Sequence, residues 1–375
     1  MRVVHLLAWP APGAAMRPEA SAAAAVASAA IARRGDVEHL VFALGPSVAG
    51  AWAGAAGLPG PIVQMAPPTG KLAMAGPAVA RALRAAGPVD VIQAWSPGAG
   101  AVARRVRPAG ARVCAAALSS EPAARRWLRA APAMDALVTP CPEIAARAGR
   151  ACAAARIIET AVPRARAPAR RADRAAARAR LGLGAGERAV LLIGDGADAA
   201  RFIVACALTG ASGRPLCAIL GAGAGHQRRA LRTFERSRAM LDCRLGRAPW
   251  PQLAAAADIG MIVEDGDVAV AAALGVAIGL GLPVIAPAPV YGRLGVRRED
   301  APELVGAAWT RAELARLAGP LLDDPRRAAD ALGRARAATD RASGRGAGPE
   351  RDFFDALDEV WAAPAVGGAP HTIPA

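Results

Sequence analysis

Gly221, Gly223 and Gly225 in the run GAGAG follow the apolar segment RPLCAILG, and Gly13 in PAPGAAM follows the apolar start RVVHLLAW. Glycine lacks the side chain that keeps backbone away from a ligand, so either loop can bring amide N–H groups against a phosphate. The same residues also make the plain turn that ends a buried strand. The order is not Gly-x-Gly-x-x-Gly with a ribose-binding acid further on, so neither loop reads as a dinucleotide fingerprint. A second kind of chemistry belongs to Trp95 and Ser96 in QAWSPGAG, which end the run VDVIQAW. In open parallel sheets ligands bind at such strand ends. An indole there either stacks on a ligand or packs in the core. Ser119, Ser120 and Glu121 in LSSEPAARR end another run, and their order is what a helix N-terminus wants, so capping is the favoured role.

These loops need a frame. Short apolar runs bounded by Gly, Pro and Asp alternate with alanine-rich segments of helical length, the sequence form of a parallel sheet covered by helices. The first half offers strands over 2–9, 37–44, 61–65, 89–95, 111–118, 135–140 and 155–160. The second offers 188–194, 214–221, 241–246, 258–263 and 282–287. The runs are continuously apolar rather than alternating, which predicts burial on both faces. Between the halves, seven arginines in PRARAPARRADRAAARAR (163–180) face one aspartate, and two prolines interrupt the pattern. The expected fold is α/β, with two doubly wound Rossmann-like domains facing across a cleft. The expected boundaries are a first domain over 1–165 and a second over 166–345. A last helix is expected over 346–362, and a tail follows over 363–375.

Of 46 basic residues Lys71 is the single lysine, and the formal charge is +15. That charge favours acidic partners and leaves peripheral contact with an anionic membrane open. Aromatics at 3% provide no interleaved stacking platform, and so nucleic acid is a disfavoured partner. The six cysteines form no CxxC pair and the four histidines lie far apart in sequence. Buried thiols in a reducing compartment follow, with no metal and no cofactor expected. The apolar stretch near the N-terminus is short and stopped by Pro10, which argues against a signal peptide, and no run reaches the ~20 residues of a membrane span. A cytoplasmic protein with no transmembrane segment is expected.

Several segments, in order, resemble glycosyltransferase family 4, enzymes of the GT-B fold. They are RARLGLGAGERAVLLIGDG, LCAILGAGAGHQRRAL, CRLGRAPWPQLAAAADIGMIV and VAIGLGLPVIAP, with looser likeness in VDVIQAWSPGAGAVARRV, MDALVTPCPEIAARAG and ERDFFDALDEVW. The resemblance implies transfer of a sugar from a nucleotide-sugar donor to an unknown acceptor with retention, or a homologue that has lost catalysis and serves as a binding or scaffolding partner. It implies an acceptor side over 1–165, a donor side over 166–345, a closing helix over 346–362 that packs back toward the first domain, donor contacts at Gly13, Gly221, Gly223, Arg201, Asp267, Gly281 and Pro283, and acceptor-side candidates at Trp95 and Ser96. The family places Arg after the glycine that ends the first C-terminal strand, and a Lys about five residues later. This chain has Asp195 and Ala200 there, with Arg201 beside the second. The family's two glutamates fall on Val268 and Val276, and Asp267 is one residue from the first. The donor-site motifs are therefore degenerate, and no catalytic residue is assigned.

Overall fold

The computed structural model describes residues 1–8, 18–45, 62–65, 72–118, 134–151, 155–164, 174–184, 186–193, 199–210, 216–221, 232, 235, 241–245, 250–263, 268–306, 310–345 and 351–363. The apolar runs become strands of two separate parallel sheets. β1 (Arg2–Ala8), β2 (Glu38–Leu44), β3 (Ile62–Met65), β4 (Val91–Ala94), β5 (Arg112–Ala116), β6 (Ala136–Thr139) and β7 (Arg156–Glu159) form the first, in the order β3-β2-β1-β4-β5-β6-β7. β8 (Arg188–Leu192), β9 (Leu216–Leu220), β10 (Asp242–Leu245), β11 (Ile259–Met261), β12 (Val284–Pro287) and β13 (Val305–Gly306) form the second, in the order β10-β9-β8-β11-β12-β13. Strand order reverses between β1 and β4 in one sheet and between β8 and β11 in the other. In open parallel sheets such a reversal is where a ligand crevice forms, at the C-terminal ends of the strands. The architecture is that of two doubly wound Rossmann-like units.

The helix Val268–Gly279 is buried along its whole length, all twelve residues of it. A helix with no polar face must be covered on every side. One cover is the helix Pro18–Arg33 of the first half, which lies against it. That helix buries Ala22 to Ala27, Ala30 and Ile31. Side chains this small let two helix axes approach toward the near end of the usual ~8–10 Å range. Another cover is the connection between the halves, which crosses the helix at Gly275. The helix stops at Gly281, whose φ of +81° is left-handed and suits glycine alone. Gly281 N–H donates to Ile278 C=O at 3.0 Å and Leu282 N–H to Ala277 C=O at 3.1 Å, the bond pair of a Schellman stop. Arg336 adds donors to Ile278 C=O at 2.7 Å and Gly279 C=O at 3.4 Å, a cation where the helix dipole is negative.

The last described helix, Phe353–Ala362, follows the helices of the second half yet docks on the first sheet. Asp352 caps it by accepting from Phe354 N–H at 3.0 Å and Asp355 N–H at 3.1 Å. At its other end the buried Arg112 guanidinium donates to the carbonyls of Val360 and Trp361. Trp361 is fully buried, and its indole N–H donates to Gln93 Oε1 on β4 at 2.9 Å. Arg33 pairs with Asp352, Asp355 and Asp358, and Arg34 with Asp358 at 3.4 Å. These ion pairs are partly exposed and each contributes at most about 1 kcal/mol. The buried aromatic and the arginine cap therefore hold the helix more firmly than its charges do.

Candidate functional site

Parallel sheets present ligands with the C-terminal ends of their strands, above all where strand order reverses. At that place in the second sheet β8 leads toward the helix Ala199–Gly210, and β11 runs on to Ile262 and Val263. Arg201 sits in the first turn of that helix, and its Nη1 donates to Val263 C=O at 3.2 Å, which spans the reversal. A cation in a first turn works against the helix dipole. N–H groups in the first turn of a helix favour an anion. A guanidinium and a helix N-terminus therefore lie together at the reversal. Gly221 follows β9 at the same end of the sheet and is half-buried. Gly13, Gly223, Gly225, Asp195, Glu264, Asp265 and Asp267, like Ser119, Ser120 and Glu121, lie outside the described residues.

Gly281 and Pro283 are elsewhere. They precede β12, at the N-terminal ends of the strands and away from the crevice. Gly281 is the helix stop, and Pro283 C=O accepts from Gly260 N–H at 2.7 Å to extend the ladder. In this position the Gly-Leu-Pro run turns the chain from helix to strand. Val268 and Val276, where the resemblance implies glutamates, are 3% and 4% exposed. Val268 joins the apolar cluster of the first sheet, which also holds Cys141 and Ala117, while Val276 belongs to the larger cluster around its own helix. A carboxylate at 276 would enter an apolar cluster, and an unpaired charge buried there costs several kcal/mol.

On the first sheet Trp95 is 3% exposed. Its ring lies nearly parallel to that of His5, at 19° and 6.1 Å between centroids, and meets it edge to edge: its N–H donates to His5 Nδ1 at 3.1 Å. It is a core residue, not a free surface for a sugar, because its polar edge is already satisfied by an internal acceptor. Ser96 has extended backbone, and its Oγ accepts from Ala99 N–H at 3.1 Å. It is the N-cap of the helix Pro97–Val106.

Two groups escaped sequence reasoning. Cys141 and Glu143 begin the helix Pro142–Ala151, just past the C-terminal end of β6, and the Cys141 thiol donates to Glu143 Oε2 at 3.0 Å. That bond holds the Glu143 carboxyl below the usual range, with Arg293 of the second half and Arg147 adding attraction. Burial and the carboxylate push the Cys141 thiol up to about 11. Glu143 is thus an acid on the first half that feels a cation of the second. The other missed group is a histidine pair. His5 Nε2 lies 2.9 Å from His39 Nδ1, although 34 positions separate the residues in sequence. β1 pairs with β2 so that Val3 faces His39 and His5 faces Val41, which brings both rings to one face. The only sequence signal was the shared apolar strand pattern, and register had to be known before it meant anything.

Two cavities, of about 540 and 700 Å³, open among the described residues. The first is lined by Arg84, Asp90 and Arg107, the second by Arg174, Arg178, Arg188 and Asp258. Both lie near the N-terminal ends of strands, opposite the crevices. Among the described residues no three His, Cys, Asp or Glu side chains group as metal ligands, and no helix is long and apolar enough to cross a membrane.

No family model matches the chain, and no curated protein matches it. Solved structures do, over nearly the whole length. Sucrose-phosphate synthase from Thermosynechococcus elongatus aligns with a TM-score of 0.59 at 15% identity, covering 96% of this chain and 98% of that one. Anabaena Alr3699/HepE in complex with UDP-glucose aligns at 0.57 and 17%, again over 96% and 98%. WaaG, a glycosyltransferase involved in lipopolysaccharide biosynthesis, aligns at 0.54 and 16%, over 98% and 100%. Identities this low speak for the fold alone. Sheet order and these end-to-end likenesses agree that the chain has the GT-B fold and is glycosyltransferase-like in architecture.

Proposed function

We propose that the protein transfers a sugar from a nucleotide-sugar donor to an acceptor, with retention at the anomeric carbon. The carrying observation is Arg201 at the strand-order reversal of the second sheet, in a fold matched end to end by a structure that holds UDP-glucose. In this reading residues 1–165 form the acceptor-side domain and 166–345 the donor-side domain, 346–362 close the fold, and 363–375 are a tail. The departing diphosphate gains negative charge, which Arg201 and the first-turn amides of its helix stabilise, with Gly221 allowing close approach. Glu143 is the acidic group assigned to the acceptor side. Free buried thiols fit a reducing, cytoplasmic setting.

A second reading is a GT-B protein that binds a partner without turnover. It rests on Val268 and Val276, both buried where a ribose-gripping carboxylate is expected. One panel separates the two. Purified protein is mixed with UDP-, GDP- and ADP-sugars, and thermal stabilisation and donor hydrolysis are followed. Stabilisation by one nucleotide class is expected. Loss of a charge-assisted contact in Arg201→Ala, worth about 1.5–3 kcal/mol, should weaken that affinity by roughly 10- to 100-fold. Silence across the panel would remove the transferase reading and leave the binding one.

A further inference from the structure

The His5–His39 pair belongs to an unbroken line of hydrogen bonds whose direction is fixed at both ends. Trp95 N–H can only donate, and it meets His5 Nδ1 at 3.1 Å. His5 therefore carries its proton on Nε2 and passes it toward His39 Nδ1, 2.9 Å away. His39 then carries its own proton on Nε2, facing Arg34 C=O at 3.0 Å, which can only accept. There is no place in this line for another proton. Adding one to His39 sets two donors against each other at the pair. Moving it on to His5 sets two donors against each other at Trp95.

The line lies under the closing helix. Trp361 sets its ring against His5 at 5.6 Å and 80°, and against His39 at 5.8 Å and 61°. We propose that His5 and His39 form a proton-sensitive latch, which holds the helix Phe353–Ala362 on the first sheet while both rings are neutral and releases it on acidification. Burial, with His39 beside it, holds His5 well below its ordinary value of 6.5. Burial also lowers His39, against the bond to Arg34 C=O, which raises it. Groups depressed in the docked state bind fewer protons there than when released. Docking strength is therefore intact above about pH 6.5 and falls as pH drops below it.

The charged and titratable groups around the latch come from every element packed against it. Arg34 and Asp36 flank His39, and Arg33 ends the helix Pro18–Arg33. Arg2 and Glu38 stand at the ends of β1 and β2, with Asp90 just ahead of β4. Arg112 and Cys114 lie on β5, and Asp352, Asp355, Asp358 and Glu359 on or before the closing helix. The ion-paired Asp36 and Glu359 are lowered, by Arg34 and Arg156 respectively, so both stay charged through the window in which histidine titrates. The latch does not depend on the transferase reading.

The test is backbone hydrogen exchange of the full-length chain at about pH 7.5 and 5.5, corrected for the intrinsic pH dependence of exchange. Protection of 353–362 should fall at least tenfold at the lower pH while β4 to β6 keep theirs. Unchanged protection overturns the latch. In His39→Asn, whose side-chain oxygen can accept from His5, the acid response should shrink by more than half. A full response in that variant places the titration elsewhere and also overturns the proposal. If His39→Asn does not fold, imidazole nitrogen spectra of the unaltered chain decide. Two neutral Nε2–H rings at pH 7.5 that titrate together with helix release support the latch, and release without histidine titration refutes it.

Discussion

Replacing Gly275 by alanine should destabilise the protein, against the usual preference of helices for alanine. A methyl group there would stand 2.5 Å from Pro163 O, 3.5 Å from Pro163 C and 3.6 Å from Arg164 Cα. Optimal contacts fall near ~3.5–4.0 Å, so roughly 1 Å of room must be found. Neither side yields easily. The helix is buried all round and held at its end by Arg336. The crossing segment is tied by Arg164, which donates to Thr339 C=O at 2.9 Å and Leu294 C=O at 3.1 Å. Overpacking costs about 1–3 kcal/mol, and an obstructing backbone atom points to the upper end. Alanine returns about 1 kcal/mol of helix propensity, which leaves a net loss of about 2 kcal/mol. Gly333 is the control, since it is exposed in the helix Pro325–Arg345 and nothing lies within 4 Å of an added methyl. Gly333→Ala should gain about 0.4–1 kcal/mol. Urea denaturation of both variants should move the midpoint down for Gly275→Ala and up for Gly333→Ala, with unchanged slope. If both midpoints rise, the crossing at Pro163 does not press on the helix.

Other outcomes follow from single contacts. Gly281→Ala places a side chain at φ +81° and should cost about 1–2 kcal/mol by thermal or urea denaturation, while leaving nucleotide-sugar affinity unchanged; a selective loss of affinity would restore Gly281 to the donor site. Trp361→Phe leaves Gln93 Oε1 buried without its donor, and should lower stability by about 1–3 kcal/mol and loosen the closing helix in hydrogen exchange. Burial pushes Cys114, Cys217 and Cys243 up to about 12, which leaves roughly one thiolate in ten thousand at pH 8. Alkylation of these three should be slow until denaturant is added, Cys243 being the least slow because it is only partly buried, and rapid labelling of Cys114 or Cys217 in the native protein would contradict their burial.

The strands were legible because burial on both faces demands continuous apolar runs, and such runs end where Gly, Pro or Asp enter. β13 was not, since Val305–Gly306 is too short to show any period. The helix Val268–Gly279 reads as apolar everywhere, and only the fold tells which neighbours cover it. Gly281 matches the family's run by position, while its left-handed φ and the two backbone bonds beside it are what the turn itself requires. Trp95 shows the same for strand ends, because its acceptor, His5, comes from a strand 90 residues away. The histidine pair depended on register, which no local pattern encodes.

Arginine ties the chain to its own main chain throughout. Arg164, Arg174, Arg178 and Arg336 each reach two or more carbonyl oxygens, and Arg112 holds the last turn of the closing helix. A planar fork can span neighbouring oxygens at fixed angles and never gives up its proton, whereas an ammonium is a flexible point that serves them poorly and is costlier to dehydrate. The near absence of lysine is therefore more than a matter of composition. Exchanging these residues for lysine would keep every formal charge and still unfasten the connection, the buried helix and the C-terminal clasp at once.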